Sequence, residues 1–201
     1  MSFRTKIPTS NYKPKAGFRI ARGVPYSEMN NYAPGDGTIS PLDDFGKYVS
    51  GTLPYRMKSI ASANAVKPIL VMYLHGGSSK GNDNETQMKE AAVSIIAGYL
   101  ADNSISSIFI VPQCPSSGNW GAKMNEPLAK LIGEYEAVCD GLYVLGGSMG
   151  GTGTWSLANT YPTKIRGIMP VAGKPGTADA ANFRSMRVCT VMSESDEVMK
   201  T

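Results

Sequence analysis

"LYVLGGSMGGTGTW", Leu142–Trp155, is the stretch whose reading decides the fold. It opens on a short continuous apolar run, of the kind that suits a strand buried on both faces of a parallel sheet. Glycines interrupt the run at Gly146 and Gly147, and "SMGGTGTWSLANTY" (148–161) resumes with a helical pattern. The result reads as strand, sharp turn, helix, with Ser148 in the turn. Gly146 and Gly150 complete a G-x-S-x-G pattern around it. Glycine is needed two residues before and two after the serine, because a side chain at either place would collide in so tight a turn. The strain holds Ser148 Oγ out over the end of the sheet.

A glycine-rich turn before a helix can instead cradle phosphates. Gly146 and Gly151 have the P-loop spacing, but Thr152 stands where the phosphate-binding lysine is required. A G-x-G-x-x-G read through Gly151 and Gly153 fails at Ser156. Nucleotide binding is therefore disfavoured.

Working outward, "PILVMYLH" (68–75), "SIFIVP" (107–112), "RGIMPVAG" (166–173) and "RVCTVM" (187–192) are further short apolar runs, and "TLPYRMKSI" (52–60) alternates like a half-exposed strand. Between them lie helical patterns. "NETQMKEAAVSIIAGYLADN" (84–103) places Met88, Ala91, Ala92, Ile95, Ile96 and Leu100 on one stripe behind a polar, acidic start. "MNEPLAKLIGEYEAV" (124–138) is the other, with Pro127 acceptable in its opening turn. Strand and helix alternating in this way predict an α/β fold with a predominantly parallel sheet and helices on both faces. Ligands in such sheets gather at the carboxyl ends of the strands.

Composition fits this reading. Of 201 residues 42% are apolar and 18% charged, ordinary for a globular domain. No run approaches the roughly 18 apolar residues of a membrane helix, and the N-terminus lacks the apolar segment of a secretory signal, so a cytoplasmic chain without a membrane partner is the default expectation. Residues 1–45 read as an irregular, basic arm and 46–201 as the α/β domain. The net charge is +4, and Arg4, Lys6, Lys13, Lys15, Arg19 and Arg22 face no acid in the first 27 residues. With no helical periodicity and few aromatics in the arm, a nucleic-acid partner is not expected. Cys114, Cys139 and Cys189 are widely spaced, with no CxxC and no histidine beside them, so no metal is implied and reduced thiols are expected.

A second motif follows an earlier strand: His75-Gly76-Gly77 in "YLHGGSSKGNDNE". In acyl transfer, backbone amides aimed at the developing oxyanion are worth roughly 2.7–4 kcal/mol each. The natural donors are the amide of Met149, at the start of the helix after Ser148, and an amide of the His75–Gly77 loop, with Gly77 favoured and Gly76 second.

In this order and with these gaps, "YLHGGSSKGNDNE", "VPQCPSSGNW", "LYVLGGSMGGTGTWSLANTYP" and "TVMSESDEVM" resemble the α/β-hydrolase superfamily. Within it the resemblance is to the small esterases that include feruloyl esterase-like, polyhydroxyalkanoate depolymerase-like and prolyl oligopeptidase-like hydrolases. It extends from about Gly51 to Thr201, "GTLPYRM" (51–57) included. The resemblance implies a serine nucleophile at Ser148, an oxyanion hole from Gly77 and Met149, and a substrate-facing loop with Gln113 and Trp120, the latter equally suited to packing. It implies no organic or metal cofactor, and as substrate a small-molecule or polymeric acyl ester.

The superfamily's triad runs Ser, acid, His. Asp196, in the loop after "VCTVM", matches the acid position; Glu194 and Glu197 are its neighbours, and Asp179 is an alternative used by some relatives. Ser193 and Glu194 replace the usual His-Gly. The only histidine in the sequence, His75, matches a position that braces the oxyanion loop. The expectation is thus that the triad histidine, with the last strand and helix of the fold, lies beyond Thr201, and that these 201 residues alone are nearly inactive. A catalytically silent binding protein and a serine peptidase of prolyl oligopeptidase type are the alternatives.

Overall fold

The computed structural model describes residues 42–62, 67–193 and 196. Most of the basic arm expected over residues 1–45 lies outside them.

Among the described residues seven strands form one sheet: β1 (Gly46–Ser50), β2 (Leu53–Ile60), β3 (Ile69–Leu74), β4 (Ser107–Pro112), β5 (Leu142–Gly147), β6 (Ile165–Val171) and β7 (Arg187–Val188). Their spatial order is β1-β2-β4-β3-β5-β6-β7. The β1–β2 and β2–β4 pairs are antiparallel, and every pair from β4 through β7 is parallel. The α-helices of the described residues, α1 (Ala91–Asp102), α2 (Ala122–Gly133) and α3 (Met149–Thr160), pack on the sheet.

The apolar runs are continuous because both faces of the central strands are covered. In β3, Leu70, Met72 and Leu74 enter a core shared with Leu128, Leu131 and Ile132 of α2 and Leu157 and Ala158 of α3. Val71 and Tyr73 point the other way, into a second core with Val93, Ile96, Ala97 and Leu100 of α1. The alternation of a pleated strand sends one set to each layer.

Several elements differ from the sequence reading. The helix expected over 84–103 is a 3-10 turn at Thr86–Lys89 followed by α1, and Glu90 between them is extended, with φ −71° and ψ 127°. The break rotates the buried stripe onto Val93, Ile96, Ala97 and Leu100, leaving Ala91 exposed. The helix α2 starts two residues earlier than expected, which moves Pro127 beyond the opening turn, and the chain from 134 to 138 is turn rather than helix. The run 187–192 pairs regularly only at Arg187–Val188, then again through a single bridge from Val191 to Val171. The edge strand β1 was not anticipated; its exposed Tyr48 and Val49 give "GKYVS" no burial signature.

Among the described residues no helix is long and apolar enough to cross a membrane. Cys114 and Cys139 are buried free thiols and Cys189 is half-buried. Burial raises the Cys114 thiol to about 11, a state without nucleophilic thiolate.

Candidate functional site

The site forms where β3, β5 and β6 end side by side. Ser148 has φ 54° and ψ −114°, a conformation rare for any residue with a side chain. Three contacts hold it there. The Ser148 N–H donates to Val171 O at the end of β6 (2.9 Å), and Thr152 N–H donates back to Ser148 O (3.0 Å). Beneath the turn, the backbone of Gly150 presses on β3 so closely that a Cβ would stand 1.8 Å from Leu74 O. A Cβ on Gly146 would stand 2.3 Å from Gly150 O. Both flanking glycines are thus required by backbone contacts, the neighbouring strand included.

The adjoining loop leaves the end of β3 through His75, Gly76 and Gly77. A Cβ on Gly76 would lie 4.0 Å from Ser148 Cβ and 3.7 Å from Gly147 O, so this loop abuts the Ser148 turn. The Gly76 peptide groups are clamped on both sides. The Gly76 N–H donates to Glu90 Oε1 (2.7 Å), while Gly76 O receives His75 Nδ1 (2.7 Å) and Ser79 N–H (3.2 Å). A trans peptide points its N–H opposite its C=O. Because Gly76 O is drawn toward His75, Gly77 N–H is directed away from it. Among the described residues neither Gly77 N–H nor Met149 N–H has an acceptor; Met149 is the first residue of α3, where amides have no intrahelical partner.

His75 is fully buried and wholly occupied by backbone. Its Nε2 accepts from Cys114 N–H (2.9 Å), which leaves Nδ1 as the protonated nitrogen donating to Gly76 O. The ring meets Trp120 edge to face, with centroids 5.1 Å apart, and Trp120 Nε1 donates to His75 O (2.9 Å). Burial lowers the pKa of His75 below its ordinary value, against the opposing effects of the Gly76 carbonyl and Glu90. No ring nitrogen is left to face Ser148.

Gln113 and Trp120 are both buried. Gln113 Oε1 accepts from Asn84 N–H (2.7 Å) and its Nε2 donates to Asp83 Oδ1 (2.6 Å). Asp83 is itself held well below the usual carboxylate range by hydrogen bonds from the Thr86 hydroxyl and amide, then from Gln113. Asn84 Nδ2 reaches Tyr48 O (3.2 Å) and Tyr55 O (3.1 Å), so this group ties the loop after β3 to β1, β2 and β4. Gln113 and Trp120 therefore stand behind the loops that frame Ser148, as braces.

Asp196 is half-buried, and its N–H donates to Ser193 O (3.3 Å). Val191, five residues earlier, bridges Val171, the residue that accepts from Ser148 N–H. Asp196 thus belongs to the segment leaving the sheet at the same carboxyl end as Ser148. Glu194 and Glu197 lie outside the described residues. Asp179 instead caps the 3-10 turn Ala180–Phe183, accepting from Ala181 N–H (2.9 Å).

One residue that the sequence reading passed over stands at the centre of the site. Glu90 receives Gly76 N–H and Ser79 Oγ (2.7 Å) on Oε1, and Tyr73 OH (2.6 Å) on Oε2. Nothing in the sequence set it apart from Glu85 and Asp102, the other acids of the expected helix.

No family model matches the chain, and no curated protein matches it. Solved structures do. A thermostable esterase superposes with a TM-score of 0.70 at 22% identity, over 79% of this chain and 48% of its own. The fold is that of the α/β-hydrolases. Est1E from Butyrivibrio proteoclasticus with bound ferulic acid gives a TM-score of 0.50 at 11% identity, over 65% of this chain and 53% of its own. The same protein in another crystal structure matches at TM-score 0.50 and 12% identity, over 65% of this chain and 51% of its own. The chain spans about half the length of these structures.

Proposed function

We propose that the protein is a serine hydrolase that cleaves a carboxylic ester through an acyl-serine intermediate. The observation that carries this reading is the pairing of a strained serine with two amides that have no acceptor among the described residues. Ser148 sits at φ 54° beside a loop whose Gly77 N–H is turned outward, at the amino end of a helix whose first amide is that of Met149.

In this mechanism Ser148 Oγ attacks the ester carbonyl as its proton passes to a base. The tetrahedral oxyanion is held by the amides of Gly77 and Met149, aided by the positive end of α3. Collapse expels the alcohol, and water then releases the acid by the same steps in reverse. Asp196 orients the base. His75 cannot serve as that base, because Cys114 N–H occupies Nε2 and Nδ1 is spent on Gly76 O. In this proposal the base comes from outside the 201 residues, and the share of the esterase left unmatched, about half, leaves room for it. Gln113 and Trp120 act by holding the loops.

The full coding sequence and a fluorophosphonate probe test this. Labelling at Ser148 that vanishes in Ser148→Ala supports a primed nucleophile, and Asp196→Asn should then lower kcat by about 10⁴. The full occupancy of His75 favours a second reading, a silent binder. Failure of the full-length protein to label would establish that one.

A further inference from the structure

We infer that Glu90 is a positioning residue for the proposed oxyanion loop: its carboxylate takes the Gly76 amide out of play and thereby aims the Gly77 amide at the carbonyl attacked by Ser148. The inference rests on the serine-hydrolase reading and adds to it a residue outside the Ser-acid-His set.

Glu90 occupies the N-cap position of α1, where a side-chain oxygen commonly accepts from the helix's own first amides. It makes no such bond. The carboxylate instead spans to the neighbouring loop and gathers three donors from three places: Tyr73 OH at the end of β3, Gly76 N–H, and Ser79 Oγ in the 3-10 turn Gly77–Ser79. Tyr73 OH in turn lies under the Ser148 turn, 3.2 Å from where a Cβ on Gly147 would stand. The hydroxyl is held protonated, its pKa raised by burial and by the Glu90 carboxylate. One acid thus joins the strand beneath the serine to both ends of the loop beside it.

The consequence is directional. Two successive amides, Gly76 and Gly77, could face a substrate from this loop. The His75–Gly76 peptide is held at both ends, its carbonyl by Trp120 Nε1 and its Gly76 N–H by Glu90, and the Gly76–Gly77 peptide is held at Gly76 O by His75 and Ser79, so that Gly77 N–H is the amide left to point outward. Without Glu90 the His75–Gly76 plane loses its amide anchor and Ser79, whose own N–H holds Gly76 O, loses the bond on its hydroxyl, so both planes are free to turn. The geometry needs an acceptor at this position rather than a negative charge, since glutamine can keep Oε1 on Gly76 and Ser79 while Tyr73 OH accepts from its amide.

The experiment compares full-length wild type with Ser148→Ala, Glu90→Ala, Glu90→Gln and Ser79→Ala on a short aryl ester, with amide hydrogen exchange at Gly76 as a second readout. Expected in Glu90→Ala is a kcat about 100-fold lower, the loss typical of one misplaced oxyanion donor, with KM within about threefold of wild type. Gly76 protection should fall in the same variant, and Glu90→Gln should recover kcat to within about fivefold. Should Glu90→Ala not fold, Ser79→Ala, which removes one loop donor, should still lower kcat several-fold at constant KM. Unchanged kcat in Glu90→Ala or, failing that, in Ser79→Ala overturns the inference while leaving the serine reading intact. Glutamine as poor as alanine also overturns it. Hydrolysis that survives Ser148→Ala overturns the serine reading itself, and the oxyanion role of Glu90 with it.

Discussion

The backbone N–H of Cys114 donates to His75 Nε2 at 2.9 Å, and this bond sets the tautomer of the sequence's only histidine. An amide can only donate, so Nε2 carries no proton and Nδ1 does. A second proton would have to enter at Nε2, against the Cys114 amide and inside a core with no solvent. The folded protein therefore prefers neutral His75, and its pKa lies below that of the unfolded chain, chiefly through burial. The unfolded state binds more protons below the ordinary histidine value, about 6.5. The stability linked to His75 is then fully present above about pH 6.5 and is lost as pH falls from there toward the folded pKa. The melting temperature should be level from pH 8 to 7 and decline between pH 6.5 and 5. In His75→Gln it should start lower and decline less. An equally steep decline in the variant would assign the effect to other groups.

Gly150 and Gly77 should respond oppositely to alanine. A Cβ at Gly150 meets the Leu74 carbonyl at 1.8 Å, where only movement of a central strand gives relief, whereas at Gly77 it meets nothing within 4 Å. Gly150→Ala should lose about 3 kcal/mol or more in urea unfolding. Gly77→Ala should stay within about 0.5 kcal/mol of wild type. Similar losses in the two would contradict this picture of the turn.

Strain at Ser148 should be measurable as stability. A non-glycine residue at φ 54° and ψ −114° costs about 1–3 kcal/mol, and glycine relieves it at an entropic cost of about 0.5–1 kcal/mol. Ser148→Gly should therefore raise the unfolding free energy by about 1 kcal/mol while abolishing labelling by a fluorophosphonate. A destabilised variant would mean that the hydroxyl has structural partners.

Trp120→Phe retains most of the buried ring but leaves the His75 carbonyl without its donor. A loss of about 1–3 kcal/mol is expected in denaturant melts. The edge-to-face contact with His75 survives this change, so a neutral outcome would show that the ring contact, not the hydrogen bond, is what Trp120 supplies.

The layers of this fold were legible because the central strands β3 and β4 send residues into both cores and so are almost wholly apolar. What the sequence concealed was exposure and interruption. Strand β1 lies at a sheet edge with Tyr48 and Val49 in solvent, and periodicity cannot mark a strand that buries so little. The break before α1 was invisible because Glu90 is an ordinary helical residue; its extended backbone is imposed by bonds to Gly76, Ser79 and Tyr73, all distant in sequence. The Ser148 turn was readable because glycine at 146 and 150 is demanded by close backbone approach, Gly146 against the turn itself and Gly150 against Leu74 of β3. The substrate-facing loop with Gln113 and Trp120 was implied by the resemblance; the partners of the two side chains, Asp83, Asn84 and His75, come from other parts of the sequence and no local pattern announced them.

The contacts that strain Ser148 come from Leu74 and Val171, one far upstream and the other beyond the whole of α3. A strand-turn-helix excised from this protein would relax, because of the contacts that hold Ser148 only the Thr152 bond lies within it. The turn therefore depends on β3 and β6 being docked against β5. Loss of reactivity at this serine on heating should coincide with collapse of the entire sheet, and an electrophilic probe aimed at Ser148 would count intact molecules.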